Sequence, residues 1–287
     1  MSQQHIQNAQ TLLQEALAQA DASLAPQLQQ IQAELEAAQR LGEGQDAEAL
    51  QAQIATMLKD SGEFISVMVH EIRKPMTSIR GYNDMLGNKA MGELNEMQAQ
   101  FVQTIRNNIL SMEALVADLS DLNKFQTGRH TASPKMDMFK NIAMQLEKDF
   151  TEKAEARNIT LTFDTPQGLP LLNLDTQRAV QAFSKLLDNA IKYSYENEGE
   201  VLVKAEGGDG ALHVIIQDNG VGMTDTEQAR LGELFFRGDN DLVTNSKGYG
   251  MGIPIVFECL KLLNGSIEWE STPSQGTRFM VTLPAMG

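Results

Sequence analysis

The 287-residue chain is poor in cysteine, in positive charge and in long apolar runs. Its one cysteine, Cys259, excludes an internal disulfide framework and a cysteine-rich metal site. Cys259 lies in the apolar run Ile255-Val-Phe-Glu-Cys-Leu260 and reads as buried filler. Lysine and arginine number 23 against 38 aspartates and glutamates, a formal charge of −15. Nucleic acid and anionic membranes both need a basic face, so that balance argues against either as a partner. No apolar run approaches the roughly 20 residues that span a bilayer. The Gln-rich N-terminus has no signal-peptide core. The expectation is a soluble, cytoplasmic chain without membrane contact, suited to a reducing compartment. The signature G-x-x-x-x-G-K-S/T is absent, and no glycine run directly follows a strand within a βαβ unit. Neither a P-loop nor a dinucleotide fold is expected.

What is present is helical at first. Residues 1–60 are built almost wholly from Ala, Gln, Leu and Glu, a helix-favouring set. Leu24, Leu28, Ile31, Leu35 and Ala38 fall four and three apart, as in a coiled-coil seam. Gly42-Glu-Gly44 interrupts it. A second seam begins at Leu50, Ile54, Met57, Ser61, Phe64 and Met68 and continues through Ile72, Met76, Ile79, Asn83 and Leu86. It predicts a helix from about 46 to 86, with Pro75 inside it as a kink. After Gly87-Asn-Lys-Ala-Met-Gly92 a further helix carries Phe101, Ile105, Asn108, Met112, Leu115, Leu119 and Leu122 at heptad spacing. Two such helices make an antiparallel hairpin. One hairpin cannot hide two seams, whereas a homodimer forming a four-helix bundle hides both.

From about 131 the pattern changes. Residues 137–157 predict a helix, and Ile159-Thr-Leu-Thr-Phe163 alternates like a strand. Asp175 caps a helix running to Tyr193. Val201–Ala205, Leu212–Gln217, Ile267–Glu270 and Thr277–Leu283 predict strands, with Gly207-Gly-Asp-Gly210 as a hairpin turn. Gly250 to Asn264 is mostly helical. Helices mixed with antiparallel hairpins indicate an α+β fold, a sheet with helices on one face. The domain boundaries expected are 1–58 for the helical or coiled-coil segment, 59–128 for the hairpin and 131–287 for the α/β sandwich.

Candidate functional residues stand out on this frame. His70 is two residues from the seam positions Met68 and Ile72, about 200° round the helix, and so points to solvent. Taken alone, an exposed histidine is a surface residue of no note. Here Glu71 adjoins it. A neutral imidazole has a lone pair for nucleophilic attack, and a carboxylate can hold the other ring N–H and fix the tautomer. On the 175–193 helix, Val180, Phe183, Leu187, Ala190 and Ile191 gather on one side, and Lys185, Asn189 and Lys192 on the other. A solvated face would look the same. An Asn carbonyl is nonetheless a hard-oxygen ligand, and a lysine is a point charge for phosphate. Asp218-Asn-Gly220-Val-Gly222 follows a strand, and Gly248-x-Gly250-x-Gly252 precedes a helix whose N-terminus favours phosphate.

Four blocks occur in order: Phe64-Ile-Ser-Val-Met-Val-His70-Glu71-Ile-Arg-Lys-Pro75-Met-Thr-Ser-Ile-Arg80, Asp188-Asn189-Ala-Ile-Lys192-Tyr193, Asp218-Asn-Gly220-Val-Gly222-Met and Lys247-Gly248-Tyr-Gly250-Met-Gly252. Order and spacing resemble the transmitter of a sensor histidine kinase, over roughly residues 60 to 285. The resemblance implies a dimeric four-helix bundle followed by an ATP-binding sandwich of the histidine kinase and Hsp90-like ATPase type. It implies that His70 is the phosphoacceptor, with Glu71 beside it as its catalytic partner. Asn189 would coordinate Mg²⁺, Lys192 would contact phosphate and Tyr193 would pack near adenine. Asp218 would accept from the adenine amine, with Gly220 and Gly222 allowing close approach. Lys247, Gly248, Gly250 and Gly252 would form the phosphate loop, and Thr277 would lie near the adenine pocket. Phe235-Phe236-Arg237 and the segment to Lys247 resemble the lid that closes over ATP. The implied partners are a second copy of the chain and the receiver domain of a response regulator, whose aspartate takes the phosphoryl group.

Two positions depart from the family pattern. Lys185 stands where a second amide is common, and would serve instead as a phosphate contact. Lys74 stands where Thr or Asn is common and is associated with positioning the water that dephosphorylates the regulator. These departures keep a second reading open, a kinase-like scaffold that binds ATP without phosphotransfer. A related ATPase acting on another substrate is disfavoured by the His70–Glu71 block, and a purely structural coiled coil by four ordered motifs. A cation cannot place a nucleophilic water as Thr does, so the expectation is a competent kinase and a poor phosphatase. Lys74→Thr should raise dephosphorylation of a phosphorylated receiver domain several-fold over wild type; equal, robust activity in both chains would refute this.

Overall fold

A computed structural model describes residues 47–88 and 92–286. The seam expected at Leu24 to Ala38 and most of the 1–58 segment lie outside the described residues. The chain divides into two compact units, Met1–Ser61 and Gly62–Gly287.

Helix α1 spans Ala47–Gly87 and α2 spans Glu96–Gln126. Asn95 caps α2 through a reciprocal box: its side chain accepts from Gln98 N and the Gln98 side chain accepts from Asn95 N. Pro75 lies within α1 and has no N–H for the carbonyl of Glu71. The hydroxyl of Thr77 donates to the carbonyl of Arg73 close by (2.9 Å).

Within the second unit, α2 runs antiparallel to α1. Near one end Arg80 reaches both carboxylate oxygens of Glu113 (3.1 and 3.0 Å). Near the other, the buried Asn123 amide donates to the carbonyl of Gly62 (2.8 Å) and the hydroxyl of Ser66 (2.9 Å). Val69, Met76 and Val116 are buried between them, with Ile65 and Leu119 packed alongside. This corrects the sequence reading of a single seam. Met76 and Asn83 are buried inside the hairpin, but Phe64, Met68, Ile72, Ile79 and Leu86 are exposed, as are Phe101, Ile105 and Met112 of α2. Val69 and Val116, off the predicted seam, close the hairpin instead. Each helix carries two apolar faces, and heptad counting merged them. Asn83 is 3% exposed, and neither atom of its amide has a partner among the described residues.

The rest of the second unit begins with a ribbon, β1 (Lys135–Met138) paired antiparallel with β3 (Leu171–Leu174). Between them lie α3 (Phe139–Glu155) and β2 (Thr160–Asp164). Then follow α4 (Thr176–Tyr193), β4 (Glu200–Gly208), β5 (Ala211–Asp218), α5 (Asp225–Ala229), α6 (Asp241–Asn245), α7 (Gly252–Leu262), β6 (Ser266–Thr272) and β7 (Gly276–Pro284). The main sheet has the order β2-β4-β5-β7-β6. Its hairpins are antiparallel as expected, and Asp209 and Gly210 both take the positive φ that a tight two-residue turn requires. β2, however, pairs parallel with β4. The chain returns from β2 through β3 and α4 before adding β4, and such a crossover aligns the two strands.

Burial alternates along β4 and β7, the mark of a sheet with one packed face. Onto that face pack α3, α4 and α7, through Ile142, Leu146, Leu186, Leu187, Ile255 and Val256 among others. Phe139 and Phe183 meet edge to face at 5.4 Å at the centre. Cys259 is fully buried, and burial pushes its thiol up to about 12, in keeping with a packing role. The β1–β3 ribbon escaped the sequence reading because β1 is four residues long and buries none of them. Phe183 is completely enclosed, so Phe183→Ala should lower unfolding free energy by about 3–5 kcal/mol in chemical denaturation.

Candidate functional site

Helix α4 is where packing turns into a site. Asp175 caps it by accepting from Arg178 N (3.2 Å). Ala179, Ala182, Phe183, Leu186, Leu187, Ala190 and Ile191 are buried on one side. At the far end Arg157 donates to the carbonyls of Lys192 (2.8 Å) and Ser194 (3.2 Å), a cation on the negative end of the helix. Val221 N donates to the carbonyl of Tyr193 (3.1 Å), joining the turn after β5 to the same helix end. With its face and both ends held, α4 must present Asn189 and Lys192 on the side away from the core.

That side borders a cavity of about 340 Å³. Asn189, Lys192 and Tyr193 of α4 line it together with Asp218, Gly222 and Thr277 from the sheet edge. Lys247, Gly248, Gly250 and Gly252 line it from the loop leading into α7. Gly220 is outside the lining and acts from behind, its N–H donating to Asp218 Oδ1 (2.9 Å). Two glycines are required by geometry. Gly222 has φ +62, and a Cβ there would stand 1.9 Å from the carbonyl oxygen of Thr272. Gly250 has φ +68, and a Cβ would lie 2.5 Å from the carbonyl oxygen of Phe236.

The polar groups of the cavity are left open. Asp218 is buried, and Oδ1 accepts from the N–H groups of Gly220 and Thr277 (2.9 and 3.2 Å). Among the described residues nothing donates to Oδ2. Burial pushes its pKa up to about 6, against the pull of those two N–H groups. Thr277 Oγ1 meets Ser271 Oγ at 2.9 Å. The Asn189 side-chain amide has no partner among the described residues. Lys192 lies 5.0 Å from the Tyr193 ring centroid, and burial lowers its pKa; no carboxylate pairs with it among the described residues. Tyr193 is raised, also by burial. A half-buried cation, an open amide and a half-used carboxylate are what an incoming polar ligand would complete.

The sequence reading placed Arg237 in the lid segment and missed the wall residues of α2. Arg237 donates to the carbonyls of Val243 and, at 2.7 Å, of Ser246, folding the segment around α6, and its buried Nε has no partner among the described residues. Ser111, Leu115 and Asp118 of α2 form the opposite wall. Lys185, read as a phosphate contact, is held instead by both carboxylate oxygens of Asp118 (2.6 and 2.7 Å). No sequence signal pairs two residues that far apart in the chain.

His70 and Glu71 stand outside this cavity, on α1. The His70 side chain is 68% exposed, as its helix position predicted, and its Nδ1 lies 3.3 Å from Glu71 Oε1. A carboxylate only accepts, so Nδ1 is the donor and Nε2 keeps the free lone pair. Lys74 Nζ donates to the same Oε1 (2.5 Å). These bonds, that from Lys74 first, hold the Glu71 carboxyl below its ordinary value. Among the described residues no group of three or more His, Cys, Asp or Glu side chains is arranged to hold a metal ion. No helix among them is long and apolar enough to cross a membrane.

Residues 60–128 match the His Kinase A (phospho-acceptor) domain. Residues 174–287 match the family described as histidine kinase-, DNA gyrase B-, and HSP90-like ATPase. The chain is 31% identical over 242 residues to the circadian input-output histidine kinase CikA of Synechococcus elongatus, covering 83% of this chain and 31% of that protein. It is 29% identical over 268 residues to the non-motile and phage-resistance protein of Caulobacter vibrioides, covering 90% of this chain and 31% of that one. The chain thus spans about a third of the length of these curated relatives. Among solved structures, full-length ShkA in complex with AMPPNP superposes with a TM-score of 0.66 at 23% identity, over 78% of this chain and 46% of that one. The Acinetobacter baumannii histidine kinase AdeS gives 0.53 at 20%, over 76% and 98%. These two likenesses speak for the fold.

Asp218 ionises less readily folded than unfolded. Its contribution to stability is therefore fully present below the unfolded pKa near 3.8 and is lost as pH rises through about 6. Asp218→Asn should flatten the decline in stability over that window, and at neutral pH leave the ligand-free chain about 1–3 kcal/mol more stable than wild type in denaturant titrations.

Proposed function

The chain belongs to the histidine kinase family, carrying a phospho-acceptor domain followed by an ATPase domain, and from that premise we propose that it autophosphorylates His70 from ATP and passes the phosphoryl group to an aspartate of a response-regulator receiver domain. The observation that carries this reading is the set of uncommitted polar groups in one cavity, Asn189, Lys192 and the free oxygen of Asp218, in a chain that also presents His70 to solvent with its tautomer set by Glu71. We take residues 59–128 as the phosphotransfer hairpin, 131–287 as the catalytic domain and 1–58 as a helical signalling segment. An ATP-dependent reaction of this kind belongs in the cytoplasm.

The adenine amine donates to Asp218 Oδ2, with Gly220 behind it and Gly222 and Thr277 at the base edge. Tyr193 closes the pocket. Lys192 neutralises phosphate, and Gly248, Gly250 and Gly252, which line the cavity from the loop leading into α7, would offer it backbone N–H groups. Bound Mg²⁺ would neutralise phosphate charge, held by the Asn189 carbonyl and by the phosphates themselves; a single protein ligand suits a cation that keeps most of its shell as water and phosphate. Lys247 lies on the same rim. The His70 Nε2 lone pair forms the N–P bond while the bond from the γ-phosphorus to the bridging oxygen breaks and ADP leaves. Nδ1 keeps its proton, and Glu71 stabilises the positive ring.

A homodimer follows from the uncovered apolar residues. Phe64, Met68, Ile72 and Ile79 of α1 and Phe101, Ile105 and Met112 of α2 are exposed along both helices. A second copy would cover them as a four-helix bundle. Two observations favour the scaffold reading: Asp118 occupies Lys185 at the cavity wall, and His70 is not at the cavity.

With Mg-ATP labelled at the γ-phosphate, the wild-type chain should acquire acid-labile, alkali-stable label. His70→Gln should acquire none, and Asn189→Ala should lose at least tenfold in rate. Unlabelled wild type that still binds ATP would establish the scaffold instead.

A further inference from the structure

On α1, Lys74 stands one turn beyond His70 on the same face. A single carboxylate oxygen, Glu71 Oε1, is shared between them, 3.3 Å from His70 Nδ1 and 2.5 Å from Lys74 Nζ. All three side chains are exposed. Arg73 is the other charged neighbour on this turn of α1. The nearby charges of α2 are engaged elsewhere: Asp118 with Lys185, Asp121 with Gln181 and Arg178, and Glu113 with Arg80. Among the described residues, Glu71 is the one charged group recorded against His70.

We propose that Lys74 sets the lifetime of the phosphoryl group on His70, by cancelling the charge of Glu71 and so disfavouring the protonated, labile form of the phosphorylated ring. The proposal rests on His70 being the acceptor through Nε2. In hydrolysis a water oxygen bonds to phosphorus, the Nε2–P bond breaks, and its electron pair returns to the ring. If Nδ1 is protonated and the ring cationic, the leaving group is neutral imidazole. If Nδ1 has lost its proton, the leaving group is imidazolate, which leaves far less readily. The ring proton therefore governs the lifetime.

An unopposed carboxylate beside Nδ1 would hold that proton to higher pH. Lys74 opposes it twice, by neutralising Glu71 and by placing its own positive charge within reach of the ring and the new phosphate. That Glu71 is held well ionised chiefly by Lys74 agrees with a carboxylate engaged by the ammonium. The fitted role is that of a donor that keeps its phosphate until a receiver domain takes it. Thr or Asn at this position would carry no charge and could not act in this way.

The test separates this from the kinase reading by loading phosphate without ATP. The full chain is phosphorylated with phosphoramidate, and loss of phosphohistidine is followed by phosphorus NMR from acid to alkaline pH. His70→Gln identifies the signals of the other histidines. In Lys74→Met the midpoint of the hydrolysis profile should move up by about half a pH unit, making loss about 1.5-fold faster at the wild-type midpoint and about threefold faster well above it. Lys74→Arg should restore the wild-type profile, since it keeps the charge. In a Glu71→Gln background Lys74→Met should have little effect, because the carboxylate it counters is gone. Superimposed profiles for wild type and Lys74→Met, or a downward shift, would overturn the proposal. Failure to label from ATP would remove the kinase reading and leave these profiles decisive for Lys74.

Discussion

Helix α4 buries Ala179, Phe183, Leu186, Leu187 and Ile191 beneath the sheet, and that burial decides where Asn189 and Lys192 point. On a helix, residues three and four apart share a face. Once the apolar stripe is committed to the core, the polar stripe has one direction left. The Asp175 cap and the Arg157 bonds remove the remaining freedom at the two ends. The cavity then needs other elements to arrive against a fixed wall. Gly222 and Gly250 do this by letting backbone approach where a side chain could not fit.

The cavity is electrostatically incomplete. Asp218 is ionised with difficulty because it is buried, and Lys192 is desolvated without a carboxylate partner. Both features cost stability in the empty protein. A ligand bearing an exocyclic amine at one end and phosphates at the other would satisfy both groups at once. The same economy does not extend to Lys185, whose charge Asp118 has already matched. The two lysines of α4 thus divide, one held in an internal ion pair and one open to a ligand.

The hairpin is ruled by a different constraint. Each of its helices must pack on its neighbour and still bears a second apolar stripe. Val69, Met76 and Val116 satisfy the first requirement, and Phe64, Met68, Ile72 and Phe101 remain on the surface. His70 lies clear of the buried contact, open to solvent on α1. Its polar surroundings are local to one helical turn, with Glu71 against Nδ1 and Lys74 against Glu71.

Much of this was legible in the chain. Heptad spacing found both long helices, alternation found the strands of the main sheet apart from its ends, and Asp175 marked the start of α4. The exposure of His70 followed from its angular distance to Met68 and Ile72. The polar set Asn189, Lys192 and Asp218 was identified from residue type, spacing and a family resemblance. These features depend on local periodicity and on side-chain chemistry, which the sequence carries directly. The tertiary structure alone decided that β2 lies parallel to β4, that β1 pairs with β3, that Asp118 takes Lys185, and that Val69 rather than Met68 closes the hairpin. Each depends on which surfaces meet after the chain has turned back on itself. Pairing partners, desolvation and the choice between two apolar faces are properties of that meeting, and no local pattern encodes them.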